Sequence, residues 1–162
     1  NYTYGIPHYC VSIALQHKKD VIVGVVFDPQ RDELFTAEKG KDALLNGKPI
    51  HVSTRTDLAE TILSLGMSKT EESIRSGFKQ IQHYVHKVRK LRNMGSAALD
   101  LAYVASGRID AYVERGVNWW DLAAGLRLVE SAGGKVRIAP NSQGKGFEII
   151  ASNGQIALDF VN

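Results

Sequence analysis

The stretch Ile109-Asp110-Ala111-Tyr112-Val113-Glu114-Arg115-Gly116-Val117-Asn118-Trp119-Trp120-Asp121-Leu122-Ala123-Ala124-Gly125 decides the fold class. Ile109–Glu114 reads as a strand that ends at Glu114. Asn118 can cap a helix running from Trp119 to Ala132, and Gly133-Gly134 ends it. A strand that passes into a helix within a few residues is the repeating unit of an α/β layer. The pattern continues on both sides. Upstream, Lys87–Asn93 turns into a short strand, and Gly95-Ser96 opens a helix of small residues reaching about Ser106. Downstream, Lys135–Ala139 and Phe147–Ser152 are strands separated by a Pro/Asn/Gly loop, with a short final helix expected after Asn153-Gly154. Further upstream, Ser68-x-x-Glu71 has the spacing of a capping box. Behind it, Ile74, Phe78, Ile81, Val85 and Val88 form one helical stripe, expected to face the core.

The first third of the chain has a different rhythm. His8–Gln16 and Val21–Phe27 read as a hairpin across the polar turn Gln16–Asp20, and Asp28-Pro29 breaks it because proline brings no N–H to a ladder. Glu33–Ala37 is a third short strand, and Asn46-Gly47, two residues tolerant of positive φ, turns Ala43–Leu45 into Ile50–Ser53. Thr61–Leu65 is a further strand. The reading is an α/β fold: residues 1–66 form an antiparallel sheet region, and 67–162 an α/β region.

Composition narrows the function classes. A chain of 162 residues, 44% hydrophobic and 23% charged, can bury a core without staples. Its one cysteine, Cys10, rules out an internal disulfide framework and a multi-Cys zinc site, and points to a reducing, cytoplasmic compartment. The longest apolar run, Val21–Phe27, is far short of the ~20 residues of a membrane helix. A net charge of +3, dispersed along the chain, makes nucleic acid an unlikely partner.

Several residues carry more than one reading. Asp121 sits where a first-turn carboxylate is favoured by the helix dipole, so it is a capping carboxylate or a ligand. Glu114 is a strand-end surface carboxylate or part of a site, since ligands of α/β sheets gather at the carboxyl ends of strands. Gly95-Ser96-Ala97 is a plain turn with Ser96 as N-cap, or a cradle whose unpaired N–H groups hold an anion or a sugar hydroxyl. His83 and His86 fall off the apolar stripe and read as a solvated face. Lys87, Arg89, Lys90 and Arg92 are a solvated junction or a docking site for an acidic partner or RNA. Cys10 reads as a small buried hydrophobe.

Taken in order, these stretches resemble the inositol monophosphatase family. Trp120-Asp121-Leu122-Ala123-Ala124-Gly125 is similar to its W-D-x-A-A-G signature, and Gly95-Ser96-Ala97-Ala98 through Ala105-Ser106-Gly107-Arg108-Ile109-Asp110-Ala111 to its G-[ST]-A-A…A-x-G-x-x-D-A stretch. Ala37-Glu38-Lys39-Gly40…Ala43-Leu44-Leu45-Asn46-Gly47 resembles a G-x-G-A-x-x-N-G stretch, with Asp42 in place of the second Gly. The resemblance implies a layered α-β sandwich of the sugar-phosphatase type and an Mg²⁺-dependent phosphomonoesterase acting on inositol monophosphate or a similar sugar phosphate. It also implies a homodimer when intact. Asp121 would be a metal ligand, Glu114 would hydrogen-bond a ring hydroxyl, and Gly95, Ser96 and Ala97 would line the sugar site. Trp120 would pack behind Asp121 and orient it. The family's remaining metal ligands and water-activating groups lie in a Glu-Glu pair and a D-P-[LIV]-D-G-T-x-N motif, of which Asn1 looks like the last residue. No catalytic residue is therefore assigned within the chain, which is expected to have little activity alone. The alternatives are a relative acting on a nucleotide 3′-phosphate, histidinol phosphate or fructose bisphosphate, or a non-catalytic binding protein using the basic 87–92 segment.

Overall fold

The computed structural model describes residues 1–141 and 145–161. The middle of the Pro/Asn/Gly loop, 142–144, lies outside them. The first sheet is an antiparallel meander of β1 (Val11–His17), β2 (Asp20–Asp28), β3 (Glu33–Glu38), β4 (Leu44–Leu45) and β5 (Lys48–Pro49), in that spatial order. Asn46 and Gly47 both take positive φ between β4 and β5, and the Asn46 carboxamide accepts from the Leu34 N–H at 2.7 Å. The expected strand at Ile50–Ser53 does not form. Instead, the Ile50 N–H donates to Ala43 and the Val52 N–H to Ala132, which draws the segment against a helix end.

The second sheet has the order β7 (Lys90–Arg92), β6 (Ile62–Leu65), β8 (Ala111–Val117), β10 (Phe147–Ser152), β9 (Lys135–Pro140). β6 runs parallel to β7 and β8, whereas β10 runs antiparallel to β8 and β9. Two helices, α2 (Ala97–Ala105) and α3 (Trp119–Ser131), fill the space between the sheets. α1 (Glu71–Tyr84) covers the far side of the second sheet. The resulting order of layers is sheet, helix pair, sheet, helix.

Strand periodicity divides the core accordingly. Tyr112, Ile149 and Ala151 face the helix pair, while Leu63, Leu65, Val113 and Ile150 face α1. Small residues set the spacing of the inner layer. A β-carbon at Gly24 would run into the Ala124 backbone, and one at Gly125 into the Leu101 side chain, so β2, α3 and α2 approach each other at backbone distance.

α1 departs from its expected orientation. Its cap is Thr70, whose hydroxyl accepts from the Ser73 N–H at 3.1 Å, rather than Ser68. Its buried face is Ser73, Gly77, Gln80 and Tyr84, and of the apolar stripe Ile74, Phe78 and Val85 point outward, Phe78 being 62% exposed, while Ile81 and Val88 pack inward. Polar anchors fix this rotation. The Ser73 hydroxyl accepts from the Ser68 N–H and donates to the Arg115 carbonyl, the Tyr84 hydroxyl donates to the Asp159 carbonyl, and the Gln80 amide donates to the Val161 carbonyl. The expected final helix is absent among the described residues. Residues 153–161 form a non-helical tail, bent at 154–156, that buries Ile156 and Leu158 beside α1.

Candidate active site

β8 extends beyond its expected end, so Glu114 is a mid-strand residue. The ladder with β10 continues through a bulge as Ile149 opposite Glu114, Glu148 opposite Arg115 and Phe147 opposite Val117. These partners lie 30 or more residues away, beyond the reach of local pattern. Tyr112 and Glu114 share one face of the strand. Tyr112 is fully buried and its hydroxyl donates to the Glu114 carboxylate.

Beyond β8, Asn118 occupies the cap position of α3 without a side-chain hydrogen bond. Asp121 lies in the first turn, and its carboxylate accepts no hydrogen bond from a described residue. Asp121 thus makes no capping hydrogen bond among the described residues, while its first-turn position remains favoured by the helix dipole. Trp120 does not pack behind Asp121, since it is 72% exposed. The anchor is Trp119, whose ring packs 5.5 Å from Phe147 and whose Nε1–H donates to Gln16 Oε1 at 2.8 Å. A helix turns about 100° per residue, so seating Trp119 in the core points Trp120 outward.

α2 begins after Gly95, which has φ +76°, with Ser96 as its cap residue. Ser96 makes no capping bond; its hydroxyl instead lies 3.8 Å from the Cys10 thiol. Cys10 is half-buried rather than core, and burial pushes its thiol up. Asn1 ties this turn down by donating to the carbonyls of His8 at 2.7 Å and Met94 at 3.2 Å.

All five residues singled out by sequence meet around one cavity of about 500 Å³. Gly95, Ser96 and Ala97 form one wall, and Glu114 and Asp121 another. Sequence reasoning missed three neighbours that complete the floor: Asp100, Tyr112 and Gly66. Two had a readable signal. Asp100 is four residues after Ser96, on the same helix face, and Tyr112 is two before Glu114, on the same strand face. Gly66 had none, since only the three-dimensional pairing brings it beside β8.

The electrostatics concentrate at this floor. Asp100 is 2% exposed and accepts from the Ser64 hydroxyl at 3.0 Å. Burial, reinforced by the charge of Glu114, pushes its carboxyl up to about 7. Burial also raises Glu114, opposed by the bond from Tyr112. Among the described residues, no three His, Cys, Asp or Glu side chains gather as a metal-holding group. Among the described residues lining the cavity, the Asp121 carboxylate accepts no hydrogen bond and is open to a cation. That suits an ion which binds through one or two carboxylates plus substrate phosphate, but it is not a complete donor set.

The remaining candidates lie elsewhere. His83 and His86 are exposed, and His83 is within 2.8 Å of the Lys87 ammonium. Lys87, Arg89, Lys90 and Arg92 are exposed and form no ion pair among the described residues. Asp110 is structural, accepting from the Ser53 hydroxyl, the Arg55 guanidinium at 2.9 Å and the Ile62 N–H at 2.7 Å. No helix is long and apolar enough to cross a membrane among the described residues.

Two sheets with a helix pair between them, and a polar cavity at the N-termini of that pair, define a layered α/β fold of the sugar-phosphatase type. The chain belongs to the inositol monophosphatase family, whose model matches residues 1–158. It is 46% identical to the Nus factor SuhB of Xylella fastidiosa over 166 aligned residues, which cover 97% of this chain and 60% of that protein. It is 41% identical to an inositol-1-monophosphatase of Mesorhizobium japonicum, over 84% of this chain and 52% of that one. Among solved structures, inositol monophosphatase from Anabaena (Nostoc) sp. PCC 7120 superposes with a TM-score of 0.88 at 40% identity, covering 96% of this chain and 63% of that one. The chain thus spans about half to two-thirds of the length of these relatives.

Proposed function

We propose that the chain forms part of an Mg²⁺-dependent phosphomonoesterase for inositol monophosphate or a similar sugar phosphate. The observation that carries this reading is the convergence of Gly95, Ser96, Ala97, Glu114 and Asp121 on one cavity. The first-turn N–H groups of α2 lack helical partners and suit an anionic or hydroxyl-bearing ligand. Glu114, with one oxygen engaged by Tyr112, accepts a hydrogen bond from a ring hydroxyl with the other. Asp121 supplies one oxygen ligand to Mg²⁺. When bound, the ion contributes positive charge that polarises the phosphoryl oxygens.

With one open carboxylate among the described residues lining the cavity, the chain alone is expected to turn over little. The test is phosphate release from inositol 1-phosphate with Mg²⁺. In a protein of the relatives' full length, Asp121→Asn abolishes Mg²⁺-dependent release while the melting profile is retained. Undiminished release would remove Asp121 from the metal site, and turnover by this chain at an intact enzyme's rate would overturn the expectation of low activity. The proposed partners are a small-molecule sugar phosphate and a second copy of the chain, in the cytoplasm.

One observation favours a second reading. The basic side chains at 87, 89, 90 and 92 are exposed without ion pairs among the described residues, as a docking face for an acidic partner requires. Relatives named Nus factor SuhB stand beside those named inositol-1-monophosphatase. Charge reversal at Lys90 and Arg92 separates the two readings, because it spares sugar-phosphate binding and removes only a docking role.

A further inference from the structure

We propose that Gly66 is the positioning residue for Glu114, and that its bare α-carbon sets the preference of the cavity for esters carrying a ring hydroxyl. The proposal rests on the phosphatase reading for its ligand, but on geometry for its mechanism.

Gly66 follows β6 directly, and its N–H donates to the Val113 carbonyl at 3.0 Å, which fastens its backbone against β8 between Tyr112 and Glu114. A β-carbon at 66 would occupy the space now held by the Glu114 carboxylate and would also crowd the Tyr112 hydroxyl. Gly66 does not take a positive φ. Its backbone conformation does not call for glycine, so what the missing side chain supplies there is room.

That room lets Glu114 lie along the cavity floor. Tyr112 is fixed by complete burial and donates to one carboxylate oxygen. Asp100, held by Ser64, lies on the same floor as a second acid. The Asp121 carboxylate lines the same cavity and acts electrostatically on Glu114. The free oxygen of Glu114 thus faces the cavity, where a hydroxyl of the ligand can donate to it. A site built to receive a hydroxyl rejects an analogue that lacks it, because the buried acceptor is then left unpaired. A methyl at 66 would push the carboxylate off Tyr112 and out of register with the ligand.

The experiment uses the full chain and its Gly66→Ala variant. Carbon-13 carboxyl NMR follows the titration of Glu114. Calorimetry with Mg²⁺ compares inositol 1-phosphate with phenyl phosphate, which has no ring hydroxyl. The expected result is a Glu114 titration that moves down toward the ordinary carboxylate range, as the group leaves its buried seat. Preference for inositol 1-phosphate falls at least tenfold, and phenyl phosphate binding changes by less than about twofold. An unmoved Glu114 titration, or an unchanged preference, overturns the proposal. If the parent chain binds neither ester, the phosphatase reading falls and takes the specificity claim with it. The Glu114 titration in Gly66→Ala still decides the positioning claim in that case. Should Gly66→Ala fail to fold, the Gly66→Ala/Glu114→Ala double variant, in which the overlapping side chain is gone, is expected to fold. A double variant as unfolded as the single one overturns the proposal.

Discussion

Helices α3 and α1 both carry apolar stripes, α3 being the more apolar of the two, and their stripes meet different fates. α3 lies between two sheets and buries Leu122, Ala124, Leu126, Leu128 and Val129. α1 lies on one sheet and turns Ile74, Phe78 and Val85 outward, burying Ser73, Gly77, Gln80 and Tyr84 instead. Hydrophobic periodicity fixes the rotation of a helix when both sides are walled by apolar surface. When one side is open, a few polar anchors can override it. Here those anchors are Ser73 to the Arg115 carbonyl and Tyr84 to the Asp159 carbonyl. Gly77 assists by leaving room for the Met67 side chain.

The contrast can be tested by mutation. Leu122→Ala, in the doubly enclosed layer, is expected to cost about 2–5 kcal/mol in urea unfolding. A loss below about 1 kcal/mol would mean that the inner layer is not the principal core. The next effect is pH-dependent. The Asp100 carboxyl is raised from the ordinary 3.8 to about 7 in the folded chain. Between those values the native state holds a proton that the unfolded chain has released. Stability therefore declines as pH rises through this window. Asp100→Asn, which never ionises, is expected to match the parent near pH 4 and to exceed it by on the order of a few kcal/mol at pH 8. Unfolding curves that stay parallel from pH 4 to 8 would contradict the buried carboxyl. Smallest is Phe78→Ser on the open face of α1, expected to change stability by no more than about 0.5 kcal/mol. A cost above about 2 kcal/mol would show that this face is covered in solution.

The same contrast explains what the sequence could disclose. The α/β alternation, the helix pair and the strand positions follow from local period and turn chemistry, as at Asn46-Gly47, where both residues take positive φ. Helix-start signatures placed Asp121 and Gly95-Ser96-Ala97 at the openings of α3 and α2, and only the family resemblance singled them out as candidate site residues. Features set by distant partners were not legible. The full length of β8 depends on β10, the room beside Glu114 depends on Gly66, and the exposure of Trp120 depends on Trp119 meeting Phe147. The tail after Asn153 carries helix-like composition. It does not form a helix: Asn153 Oδ1 accepts from the Gln155 N–H and turns the chain, and beyond that turn Arg137 holds the Asp159 carboxylate at 2.9 Å and donates to the Leu158 carbonyl.

The central claim is that the cavity between the N-termini of α2 and α3 receives a sugar phosphate together with Mg²⁺. An amide NMR titration of the chain with inositol 1-phosphate, with and without Mg²⁺, tests it most directly. The account predicts Mg²⁺-dependent shifts at Gly95, Ser96, Ala97, Glu114 and Asp121 that disappear in Asp121→Asn. Shifts confined to the basic 87–92 segment, or a response that survives Asp121→Asn unchanged, would contradict it.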